Sequence, residues 1–66
     1  MTTKKQKKIN DLRVTRAYGL SCSGIQVNMM DIPRIFKHGE DLIALGVDDA
    51  QLAASIRDFV DHLNRP

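Results

Sequence analysis

Apolar and polar positions first fall into a clear rhythm at Ile25-Gln26-Val27-Asn28-Met29, which alternates strictly. A period of two puts Ile25, Val27 and Met29 on one face of an extended segment and Gln26 and Asn28 on the other, and it predicts a short strand. The rhythm then changes. Ile32, Ile35, Phe36, Leu42 and Ile43 recur at helical spacing, with Asp31 placed to cap a helix and Pro33 in its first turn. Gly39 interrupts that stripe at a cost of roughly 1 kcal/mol relative to alanine; it either lets another helix come close or splits the segment in two. Gly46 suits the left-handed cap at the end of this helix. After Asp48 or Asp49, either of which can serve as N-cap, Leu52, Ala53, Ile56, Phe59, Val60 and Leu63 keep helical spacing to the end of a second helix. Gln51, Ser55, Asp58 and Asp61 make its solvated face, and Pro66 lies beyond it.

Upstream the pattern is less decided. Ile9, Leu12, Arg13, Arg16 and Ala17 could line a helix, whereas Leu12, Val14, Thr15 and Tyr18 suit a strand, and β-branched Val14 and Thr15 tilt the reading toward the strand. The small residues from Gly19 to Gly24 read as a loop, which makes a hairpin if both flanks are strands. Residues 2–8 are polar and lysine-rich, with little apolar surface to offset the entropy of ordering them. The expected organisation is therefore α+β: a basic flexible arm over residues 1–9, then one strand-helix-helix domain over residues 10–66. Its core would be Ile25, Val27, Ile35, Phe36, Leu52, Ile56, Phe59 and Val60. A unit this small rarely buries its apolar faces alone, so a second copy is expected to share that core.

Composition narrows the function. The chain has 66 residues, and Tyr18, Phe36 and Phe59 are its only aromatics, so any core is aliphatic and modest. Cys22 is the single cysteine; no intrachain bridge can form, and a reducing compartment with Cys22 as an inert small side chain is expected. The lysine-rich start lacks the apolar run of a signal peptide, and no stretch approaches the ~20 apolar residues of a membrane span, which points to the cytoplasm. Charge is divided along the chain. Residues 1–24 set six cations (Lys4, Lys5, Lys7, Lys8, Arg13 and Arg16) against Asp11, while residues 25–66 set four cations against seven carboxylates. A polyanion would be met by the basic first third.

The order of elements in residues 24–63 resembles the ribbon-helix-helix family: an alternating strand with polar Gln26 and Asn28, a helix, the Gly46-Val47-Asp48 turn and a second helix carrying Leu52, Ala53, Ile56 and Val60. The resemblance implies a dimer whose paired strands enter the major groove of DNA, with Gln26 and Asn28 at the base-reading positions. An amide can donate to and accept from an adenine edge, and a two-stranded ribbon fits that groove. Asp48 and Asp49 depart from the family, where the second helix often offers uncharged amides to a phosphate. The strand also lacks the Lys or Arg common on the family's groove face, so Lys4, Lys5, Lys7, Lys8, Arg13 and Arg16 would supply most of the attraction.

No paired carboxylates, phosphate loop or nucleophile-base set can be argued, and an enzyme is not expected. His38 and His62 lack metal-ligand spacing and read as surface histidines, so neither metal nor cofactor is expected. The function expected is that of a small dimeric DNA-binding transcriptional regulator. The alternative is a module that binds a regulatory protein, as an inhibitor or antiactivator, through its acidic helices.

Overall fold

The stripe after Asp48 forms helix α3 (Asp49–Asn64), started by the Asp48 carboxylate, which accepts a hydrogen bond from the Gln51 amide at 2.7 Å. Leu52, Ile56 and Val60 are its buried line, and Ala53, Phe59 and Leu63 pack half-buried beside them. The preceding stripe forms helix α2 (Ile32–Ala44), entered through a 3-10 turn at Met29–Asp31 and Pro33 in its first turn. Asp31 stands at its N-cap but accepts no capping hydrogen bond with its side chain. Gly46, at φ +89°, reverses the chain after α2, and its N–H donates to the Ile43 carbonyl at 3.0 Å. These assignments come from a computed structural model that describes residues 3–65; Pro66 lies outside the described residues.

Upstream, expectation and structure part. Residues 10–18, which the β-branched pair tilted toward strand, lie inside a long helix, α1 (Lys4–Ser21). Packing overrides strand propensity: Val14 is fully buried in the helical core, where packing outweighs a propensity difference of a few tenths of a kcal/mol. The Thr15 and Ser21 hydroxyls are accommodated within the helix by donating to the carbonyls of Asp11 and Ala17, both at 2.8 Å. The lysine-rich segment expected as a flexible arm is the start of the same helix, capped by Thr3, whose hydroxyl accepts from the Gln6 amide at 3.1 Å. The boundary expected between residues 9 and 10 thus falls inside α1.

The α+β expectation is overturned: among the described residues there is no strand, and neither hairpin nor ribbon forms. The alternation at residues 25–28 is nonetheless real. Ile25 and Val27 pack half-buried on the core while Gln26 and Asn28 face out, so the period of two marks an extended connection with one buried side. Its polar groups are met by single contacts instead of by a ladder. The Ile25 N–H donates to the Cys22 carbonyl at 3.0 Å, and the Asn64 amide donates to the Gln26 carbonyl at 3.0 Å. Met29, expected on the inward face, has left the extended segment for the 3-10 turn and is exposed.

One core unites the three helices: Val14 and Ala17 from α1, Cys22 after it, Ile35 from α2, and Leu52, Ile56 and Val60 from α3. The small residue inside α2 decides how they fit. A Cβ on Gly39 would overlap Val14 Cγ2 and stand 3.0 Å from its Cγ1, so glycine lets α1 and α2 touch, and the helix passes through it unbroken. Arg13 meets Asp49 and Ser21 meets Arg57, both at a separation of 36 residues, so α1 and α3 run side by side in the same direction. α1 therefore covers the apolar faces of α2 and α3 within one chain. The packing reason for a second copy falls away, since the core it was expected to complete is closed by residues 10–22.

Candidate nucleic-acid interface

The parallel register places the first turns of α1 beyond the start of α3. Residues 3–9 are all exposed, and Asn10 is the first buried side chain of the helix, its amide oxygen accepting from Gln6 at 2.9 Å. Lys4, Lys5, Lys7 and Lys8 are thus carried on a projecting helical end. Helical geometry spreads them about the axis, with Lys5 in line with Ile9, Leu12, Arg16 and Leu20 on the side turned away from the core.

Their position is electrostatically unfavourable for the free chain. A helix N-terminus carries a partial positive charge, and cations in the first turn oppose it, typically by about 0.3–1 kcal/mol each where the site is poorly screened. Lys4 and Lys8 also repel one another at a spacing of four. The first turn of α1 holds no acidic residue, and among the described residues no carboxylate forms a salt bridge with any of the four lysines. An arrangement that opposes local helix rules and forms no ion pair of its own marks this end of α1 as a candidate anion-binding surface.

The two arginines differ. Arg16 is exposed and unpaired among the described residues, so its charge is free. Arg13 is committed: its Nε and Nη2 donate to Asp49 Oδ1 at 3.2 and 2.9 Å, which latches α1 to the start of α3. A partly exposed pair of this kind adds no more than about 1 kcal/mol, and it removes Arg13 from the set of available cations.

Gln26 and Asn28 are not brought to this surface. Asn28 uses its side-chain oxygen to accept from the Met30 amide at 3.0 Å, capping the 3-10 turn. Gln26 is exposed, but Asn64 holds its carbonyl at the far end of α3, so its segment lies near the C-terminal end of α1. With a rise of 1.5 Å per residue, that end is roughly 25 Å from the lysines. With the ribbon gone, the base-reading role assigned to these amides has no geometric basis.

Of the other residues expected to form the core, Ile35, Leu52, Ile56 and Val60 are buried, and Ile25, Val27, Phe36 and Phe59 pack half-buried around them. His38 stacks on Phe59 with ring centroids 4.3 Å apart and an interplanar angle of 11°, joining α2 to α3. Cys22 is buried beside the Ser21 hydroxyl at 3.4 Å. Among the described residues no three His, Cys, Asp or Glu side chains gather where a metal could be held. Among the described residues no helix is long and apolar enough to cross a membrane.

The acidic side of the bundle is a poorer surface for either partner. α2, a four-residue connection and α3 have the spacing of a helix-turn-helix, but the exposed face of α3 carries Asp49, Asp58 and Asp61, which would meet phosphates with carboxylates. That face also exposes no large apolar side chain that a protein could bury. Of the exposed large aliphatics, which lie elsewhere, Ile9, Leu12 and Leu20 share α1. They were not among the expected site residues. The pattern that marks the helix carrying them is Thr3-Lys4-Lys5-Gln6, which has the S/T-x-x-E/Q form of a capping box.

Compared with known proteins, the chain matches no family model, no curated protein and no solved structure.

Proposed function

We propose that this protein is a small cytoplasmic DNA-binding regulator that grips the phosphate backbone of duplex DNA through α1. The observation that carries this reading is the uncompensated cluster of Lys4, Lys5, Lys7 and Lys8 on the projecting end of α1, extended by the free guanidinium of Arg16. Such a surface acts by releasing counterions from the duplex, which makes binding strong at low salt and largely indifferent to sequence. Gln26 and Asn28 contribute no base contacts in this reading.

The test is a titration of the full chain on a random-sequence duplex at several salt concentrations, read by fluorescence anisotropy. With five free cations on α1, the logarithm of affinity should fall against the logarithm of salt with a slope of at most about −4 to −5, at about −0.9 for each phosphate neutralised. Replacing the four lysines by glutamine should leave a slope near −1. Absence of duplex binding at low salt would sink the reading, and so would a slope that the four replacements leave unchanged.

A further inference from the structure

We propose that the groove along α1 beside Asp49 is a docking site for an acidic amphipathic helix of another protein, a role separate from the DNA reading. Ile9, Leu12 and Leu20 are 43%, 64% and 77% exposed, although each could have been buried had α1 been rotated on its axis. Scattered single aliphatics on a surface are ordinary, but these three share one groove of about 540 Å³ with Arg13, Arg16 and the small floor residue Ala17. Ile9, Leu12, Arg16 and Leu20 follow one another at steps of three and four, the repeat by which one helix lies along another.

The rim selects the occupant by charge. Arg16 lines the groove, Lys5 and Lys8 border the aliphatic line one turn before it, and the groove's one carboxylate, Asp49, is offset by its pair with Arg13, so a helix presenting leucine-like side chains flanked by Asp or Glu complements both features. A phosphate backbone has nothing apolar to cover the leucines. A second copy fits poorly: two such faces laid together would set the Lys5, Lys8 and Arg16 cations of both chains along one seam, with no carboxylate of the stripe between them. Among the described residues the other exposed large aliphatics are Met29 and Met30 in a turn, Ile32 at a helix start and Leu45 past a helix end, and they make no acid-flanked helical stripe.

The experiment measures binding of the full chain to a synthetic helical peptide with leucines at helical spacing and glutamates on both flanks. Its controls are the same peptide with lysines in place of the glutamates, phosphatidylserine vesicles, and the Leu12→Gln, Leu20→Gln double variant. Both leucines are exposed, so the variant should melt as the parent does. Expected are binding of the glutamate peptide, none of the lysine peptide, and a roughly tenfold or greater loss in the variant, with duplex affinity unchanged. The proposal is overturned by absence of binding, by equal binding of parent and variant, which would reduce the attraction to charge alone, or by capture on vesicles without capture of the peptide. A chain that binds the peptide but no duplex keeps the docking site and loses the DNA reading; the converse removes the docking site alone.

Discussion

α1 and α3 lie side by side and point the same way, yet they distribute their side chains in opposite fashion. α3 puts its large aliphatics inward at Leu52, Ile56 and Val60 and leaves small and charged residues outside. α1 turns Asn10, Val14 and Ala17 inward and keeps Ile9, Leu12 and Leu20 in solvent, with four lysines at its free end. Burial of leucine-sized side chains is the main favourable contribution to a small core, so a helix that forgoes it is shaped by some other demand. α3 is built to hold the molecule together. α1 gives one narrow line to the core and leaves the rest of its surface in solvent, the surface through which we propose that it binds.

The contrast is sharpest between two leucines. Leu52→Ala should destabilise the fold by about 2–5 kcal/mol, whereas Leu12→Ala should change it by less than about 0.5 kcal/mol, both read from denaturant unfolding. Comparable losses at the two sites would break the distinction between packing helix and binding helix. Next in size is the contact that fixes α1 on α2. Gly39→Ala gains helix propensity but forces a methyl into fully buried Val14, and a net loss of about 1–3 kcal/mol is expected. In a Val14→Ala background the same change should become neutral or stabilising, because the obstructing methyl groups are gone. Additive effects in the double variant would mean that the helices do not touch there.

The two caps extend the comparison at smaller scale. Asp48→Ala should cost about 1 kcal/mol in global stability, since α3 unfolds only with the core. Thr3→Ala should cost less, because the turn it caps touches little and can fray separately; hydrogen exchange of the first α1 amides would register the loss. Smallest is the effect of the lysines on the fold. Replacing Lys4, Lys5, Lys7 and Lys8 by glutamine should leave the melting temperature unchanged or slightly raised, as repulsion with the helix terminus is relieved, while duplex affinity collapses. A marked loss of stability would make these lysines structural instead.

The same contrast explains what could be read from the sequence. α3 was legible because its pattern, propensity and Asp48 cap agree. α1 was not, because Val14 and Thr15 favour strand, the inward line is spoiled by polar Asn10 and small Ala17, and the aliphatics that catch the eye belong to the outer face. The helical stripe visible at Ile9, Leu12, Arg13, Arg16 and Ala17 is real, but all of it lines the groove and only Ala17 also reaches the core. At residues 25–28 the alternation correctly marked one buried and one exposed side; a strand also requires a partner's N–H and C=O groups, and no period along a single chain reveals whether that partner exists. The basic character of the first third was legible from charge alone. Its organisation as a projecting helix was not, since Thr3 and Gln6 were the only local signs of a helix start.

The central claim, that α1 is the binding helix and α3 the packing helix, is tested most directly by following backbone amide resonances while random duplex DNA is added. The expected result is perturbation concentrated at residues 4–16 of α1, with α3 beyond its first turn and the connection at residues 25–28 nearly still. Shifts centred on Gln26 and Asn28, or on the exposed face of α3, would contradict it.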